Sequence, residues 1–539
     1  MKRIALLALI ATACASHPGG WKPVPLVTQD DDRHPIKEPD EYWSSLYWDG
    51  ADQMVFLPMH RALLVDVGGP AVNVNAYGEV PNSSWFTNRI GRTRISPERL
   101  VRGPCAEDDY LSSGPWLAKS GKVDGANPGF VIEDAQTHKR YVLKFDSKTQ
   151  PERASSGDVI GSKLYWAFGA SVPCNFVVTF DASTVQLAPD ATQTDRFNNK
   201  VPLTQQDVDR AMQSAARTPD GKLRASASMF VTGKPIGPWT YQGKRGDDPN
   251  DAFDHEDRRD LRGARLMAAW TQHFDAREQN TLSTFMKAGD GELGWVEHWT
   301  IDFGDTLGSL WAADDMSRRF GHSYYFDFAD VFSDLFTLGF RKRPWEQVQK
   351  DPKAEIWGYY EHENFEPEDW KGGYQNIAFI RMDDADAYWA AHIISRFTDA
   401  HIDALVAAAQ LSKREYGERL REVLIQRRNR IVDRYMSPMA SFENPVLDDS
   451  RLCFEDAMVT AGRLPTSGQR YETRFDDGPW VAVSAEANGK VCTALEAGAS
   501  RVEARITRPG ADEPTAPVAF HLHREGSATK LIGIERKTP

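Results

Sequence analysis

The chain has 539 residues, of which 41 % are hydrophobic and 11 % aromatic, and a formal net charge of −13. This length and apolar content suffice to bury large cores, so we expect roughly two to four globular domains and no extensive disorder. The acidic balance argues against a nucleic-acid partner, because phosphate backbones are bound by basic surfaces.

The N-terminus carries the features of an export signal. A basic pair, Lys2–Arg3, precedes an apolar stretch over residues 4–13 that is too short to span a bilayer as a helix. Small residues then lead to Cys14, which resembles a bacterial lipoprotein signal over residues 1–14 with this cysteine as the lipidated N-terminus. An ordinary signal peptide cleaved near Ala13 is the alternative. Both interpretations predict export, and the first predicts a cell-envelope lipoprotein at the outer membrane or facing the periplasm.

The remaining cysteines have no metal-ligand spacing. Because an exported protein meets an oxidising compartment, they predict two disulfides, one in the central domain and one near the C-terminus. The expected pairs are Cys105 with Cys174 and Cys453 with Cys492. Free buried thiols are the alternative.

Changes of pattern divide the chain into segments. Residues 15–45 are rich in Asp, Pro and Lys and predict a tether, and residues 46–114 predict an extension wrapped on the next domain. Short strands with one helix over 115–233 predict a small α+β lobe. Helical spacing over 234–438 predicts a mainly helical lobe, and alternating patterns over 439–539 predict a C-terminal β-sandwich.

A glycine-containing turn precedes a strand with an unusual lysine. Gly121, Gly125 and Gly129 lie between two predicted strands, where glycines let backbone amides approach phosphate oxygens; an ordinary turn is the alternative. Lys144 lies in "YVLKFD" among apolar residues that should face a core. A lysine on an inner strand face requires an anion. A snorkelling lysine on an edge strand is the alternative.

The next predicted helix places an acid near this lysine. In "SSGDVIGSKLYWAFGA", Ser155 or Ser156 is the expected N-cap and Gly169 the expected stop. Asp158, expected in the first turn, could pair with Lys144. The alternative is that it only favours the helix macrodipole.

The stretch "TQHFDAREQN" holds an imidazole, a carboxylate and an amide at fixed intervals. Asp275 can orient or deprotonate an attacking hydroxyl, and His273 can hold the loop through hydrogen bonds. Asn280 can offer its carbonyl oxygen to a metal ion, and Asp302, after the apolar run in "HWTIDFGD", can bind the same metal from the other side. The order of glycine loop, lysine, helix acid, His-x-Asp-x4-Asn and Asp-Phe-Gly is the specific signal.

This ordered set resembles the protein-kinase-like superfamily, and within it the atypical secretory and HipA-like kinases. The resemblance covers residues 115–436 and implies a two-lobed α+β fold that binds ATP with Mg²⁺ or Mn²⁺. It implies that the glycine loop covers the phosphates, that Lys144 contacts the α- and β-phosphates, and that Asp158 is its acidic partner. It further implies that Asp275 is the catalytic base and that Asn280 and Asp302 are the metal ligands.

Three functional hypotheses follow. The first is an exported phosphotransferase acting on a protein or glycan hydroxyl, and the second is a lipid-anchored pseudokinase that binds without turnover. The third is a metal-dependent hydrolase that uses His273, Asp275, His298 and Asp302 as ligands, although it has no need of Lys144.

One further stretch is highly charged. Residues 241–263 contain arginines that could form a lid over a cleft and contact an anionic group. The alternative is a solvated helix start crossed by salt bridges. The arginines concerned are Arg258, Arg259 and Arg262.

Overall fold

The protein is described by a computed structural model over residues 25–43, 46–63, 68–121, 129–194, 199–309, 314–338, 340–448 and 450–538. Cys14 of the predicted lipid anchor and Gly125 of the predicted glycine loop lie outside these ranges. Within them the chain is a mixed α+β protein with several sheets.

The strands are β1 (Ile36–Lys37), β2 (Trp116–Gly121), β3 (Gly129–Asp134), β4 (Arg140–Phe145), β5 (Asn175–Phe180), β6 (Val185–Thr194), β7 (Lys200–Pro202), β8 (Leu223–Met229), β9 (Lys234–Gly237), β10 (Thr281–Lys287), β11 (Leu293–Thr300), β12 (Phe442–Leu447), β13 (Arg451–Asp456), β14 (Arg470–Phe475), β15 (Val481–Val483), β16 (Lys490–Ala494), β17 (Arg501–Thr507), β18 (Val518–Glu525) and β19 (Ala528–Arg536).

The α-helices are α1 (Leu46–Ala51), α2 (Leu57–Leu63), α3 (Pro97–Arg102), α4 (Arg153–Phe168), α5 (Gln205–Ser214), α6 (Arg259–Thr271), α7 (Asp314–Arg318), α8 (Phe328–Thr337), α9 (Ile377–Ile380), α10 (Asp384–Ser395), α11 (Asp399–Ala408), α12 (Arg414–Met436) and α13 (Ala457–Thr460). A π-helical turn, Asp52–Phe56, joins α1 to α2.

A seven-stranded sheet with the order β5-β8-β4-β3-β2-β6-β7 contains the strand of Lys144. Tyr141, Leu143 and Phe145 of β4 are buried in the core of this sheet. Because side chains alternate along a strand, Lys144 points to the opposite face, where α4 contacts the sheet. The disulfide between Cys105 and Cys174 joins two segments of the same core.

Helix α4 begins earlier than its serines suggest. Its N-cap is Glu152, with a left-handed backbone (φ 68°), so the expectation that Ser155 or Ser156 caps the helix is wrong. Ser155 lies inside the first turn, where its hydroxyl donates to Asp146 Oδ2 at 2.6 Å and is not available for capping. Gly169 ends the helix as predicted.

A second sheet has four strands in the order β1-β11-β10-β9. In the chain, β1 and β9 come before the stretch around His273, and β10 and β11 come after it. Its hairpin β10–β11 is the extended hairpin that the sequence places between the two site motifs. Ile36 of β1 lies opposite Gly294, and Tyr42 N donates to Ile236 O at 3.0 Å. Residues 36–42, which fall in the predicted tether, therefore lie along this sheet.

Helices α6, α10 and α12 pack together in the largest hydrophobic core. Trp270 of α6 and Trp389 of α10 are buried there, and the Trp270 indole donates to Leu424 O of α12 at 2.8 Å. This packing fixes the end of α6, and therefore the position from which the loop of Asp275 departs.

The C-terminal residues form a three-stranded sheet, β12-β13-β16, and a five-stranded sheet, β15-β14-β17-β18-β19. One hydrophobic core contains side chains from both, including Phe454 of the first and Phe520 of the second, whose rings stack with centroids 5.0 Å apart. The predicted disulfide between Cys453 and Cys492 joins β13 to β16.

Among the residues that the structure describes, no helix has the length and apolar character needed to cross a membrane.

Candidate active site

Three charged side chains from distant parts of the chain meet beside β4. Lys144 Nζ lies 2.9 Å from Asp302 Oδ1 and 3.3 Å from Asp158 Oδ1. Burial alone would lower the pKa of Lys144, but the charges of the two aspartates outweigh it and the pKa is raised. Lys144 and Asp158 are buried, whereas the Asp302 side chain is 39 % exposed. The lysine is therefore held as a cation whose partner Asp302 is reached by solvent.

Asp158 is held from three sides. Its Oδ2 accepts from Ser226 Oγ at 2.8 Å, and its Oδ1 accepts from Phe303 N at 3.1 Å in addition to pairing with Lys144. Because α4 begins at Arg153, Asp158 lies in the second turn, and the expectation that it lies in the first turn is wrong. The macrodipole alternative loses its basis, since that effect is confined to the first turn.

Two glycines of α4 allow the Asp-Phe-Gly segment to approach closely. A Cβ at Gly161 would lie 2.9 Å from Phe303 Cβ, and one at Gly157 would lie 3.0 Å from Thr306 Oγ1. Thr306 Oγ1 also donates to Gly157 O at 3.1 Å. The spacing of two glycines four residues apart inside a helix is the sequence signal that could have indicated this contact.

Arg153, at the start of α4, was not anticipated from the sequence. Its Nη1 donates to Gly304 O at 2.5 Å and to Thr306 O at 3.1 Å, and the side chain is buried. It thereby fixes the backbone that follows Asp302, whose own φ of 57° is left-handed. Such a conformation in a non-glycine residue persists only where its surroundings enforce it.

His273 is a buried support for the site. Its Nδ1 lies 3.1 Å from Tyr165 OH of α4. Burial lowers the pKa of His273 to about 4, while the charge and backbone of Asp302 oppose this shift. The imidazole is therefore neutral near pH 7 and connects the loop to α4.

The loop after His273 folds back on its own aspartate. Asn280 Nδ2 donates to Asp275 O at 2.7 Å and to Asp275 Oδ2 at 2.8 Å. Arg277 Nε lies 3.0 Å from Asp275 Oδ1, and its guanidinium stacks over the Tyr374 ring. Both bonds from Asn280 use the amide nitrogen, so Oδ1 is the atom of this amide that suits a hard cation.

The protonation of Asp275 connects the two motifs. Burial raises the pKa of Asp275 to about 7; Arg277 opposes the rise, and the charges of Asp305 and Asp302 add to it. The loop and the segment that leads into Asp-Phe-Gly also meet through their backbones, where Ile301 N donates to Asn280 O at 2.9 Å. A carboxyl with a pKa near the working pH is suited to general-base catalysis. Asp305, two residues after Phe303, is an acidic member of the site that the motif did not indicate.

The two described glycines of the predicted loop lie on the same side of the strand of Lys144. Gly129 pairs directly opposite Lys144, and a Cβ at Gly129 would lie 2.0 Å from Leu143 O. Gly121 ends β2, opposite Phe130. Gly129 therefore lies on the strand next to Lys144, and Gly121 lies one strand further along the same sheet.

The ligands required by the hydrolase alternative do not converge. The ring of His298 stacks on Trp85 with centroids 3.6 Å apart, and its Nδ1 lies 3.2 Å from Ser84 Oγ. Over the described part of the chain, no group of three or more His, Cys, Asp or Glu side chains is arranged to hold a metal.

The arginines of the charged stretch form internal contacts. Arg259 Nε and Arg262 Nη1 lie 2.9 Å and 3.3 Å from the carboxylate of Asp386, and Arg258 lies over the Trp85 ring. All three arginines are buried: the salt bridges of the alternative are present, but neither a solvated helix start nor an exposed lid describes this stretch.

The side chains of this site have the chemistry needed to bind a nucleotide together with a divalent metal. Mg²⁺ is commonly held by one or two protein carboxylates together with substrate phosphates, so a site does not need three acidic side chains. Asp302 supplies a solvent-accessible carboxylate, Asn280 an amide oxygen and Lys144 a cation for phosphate oxygens.

No protein-family profile matches the sequence, and neither does any curated protein. Solved structures similar to the chain include the proinflammatory kinase CtkA of Helicobacter pylori (14 % identity, 59 % of this chain and 94 % of that chain covered, TM-score 0.30). The Golgi casein kinase (11 % identity, 53 % and 74 % covered, TM-score 0.23) is another. These scores are too low to carry an argument, so the interpretation rests on the site itself.

Proposed function

We propose that the protein is an exported phosphotransferase of the atypical kinase type, which uses ATP with Mg²⁺ or Mn²⁺ to phosphorylate a protein or glycan hydroxyl. The observation that carries the proposal is the position of Lys144, 2.9 Å from Asp302 and 3.3 Å from Asp158. The strand lysine and the helix acid meet the aspartate of Asp-Phe-Gly, which lies more than a hundred residues further along the chain, and these are the groups that kinases use for phosphoryl transfer.

In this proposal the chain's residues divide the work of binding. Asp158, fixed by Ser226, holds Lys144 in place so that its ammonium can bind phosphate oxygens. Asp302 and Asn280 would hold the divalent metal, and Gly121 and Gly129 would allow close backbone approach to the phosphates. When bound, the metal nucleotide supplies the phosphoryl group and offsets the charge that develops during its transfer.

The catalytic role falls to Asp275. Its carboxyl, with a pKa raised to about 7 by burial, would accept the proton of the acceptor hydroxyl. Asn280 and Arg277 orient that carboxyl through their contacts with its two oxygens. Neutral His273 holds the loop against α4.

The proposal extends to the domain arrangement and location. Residues 115–233 would form the strand-rich lobe, residues 234–438 the helical lobe and residues 439–539 an appended β-sandwich. The two disulfides are consistent with export. We further propose that Cys14 is the lipid anchor of the mature protein.

Two substitutions separate binding from transfer. Asp302→Ala should abolish the thermal stabilisation that ATP with Mg²⁺ or Mn²⁺ gives to wild type, because a metal ligand is lost. Asp275→Asn should keep that stabilisation and lose transfer of labelled phosphate, because an amide cannot act as the base. Asp190→Asn, an exposed site on β6, is the control and should behave as wild type.

The outcomes decide between the hypotheses. Transfer that survives Asp275→Asn would exclude this residue as the base. Wild type that is stabilised by nucleotide but shows no transfer with any acceptor would identify a pseudokinase binding module. Wild type that binds no nucleotide with either metal contradicts the proposal.

A further inference from the structure

Helix α8 presents its apolar side to solvent. Val331, Phe332, Leu335 and Phe336 lie on one side of this helix and are 53–81 % exposed. A surface helix of a globular protein normally turns its apolar stripe to the core and its polar side to water. The orientation of α8 is the reverse.

Polar contacts hold the helix in this orientation. Asp330, on the opposite side of α8, accepts from Arg343 Nη1 at 2.6 Å and from Ser323 Oγ at 2.9 Å. Ser333 Oγ, on the same side, accepts from Arg341 Nη1 at 2.9 Å. Because the polar side of α8 is hydrogen-bonded to neighbouring segments, its apolar side faces outwards.

The apolar surface continues past the helix into a basic segment. Leu338 and Phe340 are 81 % and 88 % exposed, and exposed Arg341 and Lys342 follow directly. We call this surface the α8 face; its members are Val331, Phe332, Leu335, Phe336, Leu338 and Phe340. An apolar side with Phe and Leu next to basic residues is typical of segments that lie in a membrane interface rich in anionic lipid.

A second exposed apolar segment lies near the first. Trp48, Phe56 and Leu63 in the segment from α1 to α2 are more than half exposed. Arg61 Nη1 of α2 donates to Gln375 O, and the ring of the preceding Tyr374 packs against Tyr325, just before α8, with centroids 4.9 Å apart. Two apolar segments therefore flank the same part of the molecule.

The sequence indicates which surface meets this face. Cys14 carries the predicted lipid anchor, and the chain from Cys14 to Pro25, the first described residue, spans at most about 40 Å when fully extended. A lipidated chain would thus keep the folded body at the membrane. We propose that the α8 face is a membrane-docking surface that inserts into the anionic leaflet to which the N-terminus is anchored.

Docking would also position the candidate catalytic loop. Tyr325, just before α8, packs edge-on against Phe274 with ring centroids 6.5 Å apart, and its N donates to Gly373 O at 2.7 Å. Gly373 N in turn donates to Phe274 O at 2.6 Å. The α8 face is therefore connected through two short contacts to the residue that precedes Asp275.

The test measures partition of the processed chain, residues 15–539, between buffer and vesicles. This chain keeps every described residue and cannot be held by the lipid anchor or the apolar stretch of the signal. Sedimentation with phosphatidylcholine vesicles that contain about one-third phosphatidylglycerol should show binding that weakens with added salt. Vesicles of phosphatidylcholine alone should bind at least about tenfold less.

Variants locate the binding surface. Phe336→Gln with Leu338→Asn and Phe340→Gln should lower partition at least about tenfold. The matched control, Val446→Ser with Val481→Ser, removes two exposed apolar side chains of the C-terminal sheets and should change partition less than about twofold. Leu338→Asn alone, at a position with left-handed backbone (φ 50°) that asparagine tolerates, tests the face without risk to folding.

Other occupants give different results. Equal partition of wild type and the triple variant overturns the proposal. So does a concentration-dependent dimer in analytical ultracentrifugation that the triple variant abolishes, because a second copy would then cover the face. Binding that is indifferent to phosphatidylglycerol and salt also overturns it, since the basic segment would have no part.

Discussion

Two clusters of buried charge, one around Lys144 and one around Glu443, are built differently. Glu443 Oε1 lies 2.7 Å from Arg536 Nη2, and its Oε2 lies 3.7 Å from Arg92 Nη1, which also pairs with Glu79. The four side chains of this second cluster are at most 15 % exposed. They join the N-terminal extension to β12 and to the last strand, β19.

The difference lies in charge balance and access. The Glu443 cluster, which we call the closed cluster, balances two acids with two arginines, and its side chains are largely buried. The Lys144 cluster sets one cation against Asp158 and Asp302, and solvent reaches Asp302. Buried charge by itself therefore does not identify a functional site; an uneven and accessible cluster is the more informative sign.

The largest effect should come from removing the shared cation of the open cluster. Lys144→Met leaves Asp158 buried without its positive partner, so the free energy of unfolding should fall by about 3–5 kcal/mol. Phosphate transfer per folded molecule should fall by about 100- to 1,000-fold, because a group that binds phosphate is lost. Urea denaturation and a transfer assay with labelled ATP measure the two effects.

The control for this variant is Lys139→Met. Lys139 pairs with Asp108 and Asp109 near the surface, at 2.9 Å and 3.0 Å. Its loss should change stability by less than about 1 kcal/mol. If Lys144→Met retains transfer, the open cluster is not the phosphate site.

The closed cluster should affect stability without affecting activity. Glu443→Ala leaves Arg92 and Arg536 buried without this acid, and the free energy of unfolding should fall by about 3–5 kcal/mol. Burial would raise the pKa of Glu443, but Arg536 and its neighbours lower it to about 2. Its stabilising contribution is therefore complete above the unfolded pKa near 4.3 and is lost as the pH falls towards 2.

Denaturation at pH 7 and pH 3 measures this prediction. The difference in free energy of unfolding between wild type and Glu443→Ala should be smaller at pH 3 than at pH 7. Phosphate transfer per folded molecule should equal that of wild type. Glu472→Ala, which removes a partly exposed pair with Arg505, is the control and should change stability by less than about 1 kcal/mol. A loss of transfer in folded Glu443→Ala would contradict the distinction between the two clusters.

The smallest expected effect is a dependence of folding stability on pH that comes from Asp275. Its folded pKa of about 7 lies above the unfolded value near 3.9, so the carboxyl's contribution to stability is complete below pH 4 and is lost as the pH rises through 7. Asp275→Asn cannot titrate, so this metal-free variant should gain stability relative to wild type between pH 5 and pH 8. Thermal denaturation of the variant and of wild type at pH 5 and at pH 8 measures this gain in stability.

An uncharged change in the same loop is the matched control. Gln279→Ala introduces no titrating group and removes none, so its difference from wild type should be the same at pH 5 and pH 8. A difference between Asp275→Asn and wild type that does not vary with pH would show that burial does not raise the pKa of Asp275.

The motif residues could be predicted because each is marked by its local pattern. Alternating apolar residues marked Lys144 as a lysine on an inner strand face, and fixed spacing singled out Asp275 and Asn280. The disulfide partners followed from cysteine count and compartment, and the fold class followed from the order of strands and helices. Gly169 marked the end of α4. The prediction of a helix cap at Ser155 was wrong, because the hydroxyl of Ser155 donates a tertiary hydrogen bond to Asp146.

The sequence by itself thus determined which side chains can do chemistry and which segments are strands or helices, since both depend on neighbours along the chain. The tertiary structure decided which of these side chains meet. Ser226 on Asp158, Arg153 on the Asp-Phe-Gly backbone and Arg92 beside Glu443 join residues that no short pattern connects. The outward side of α8 was decided in the same way, because hydrophobic periodicity shows that a helix has two sides, but only its contacts fix which side faces water.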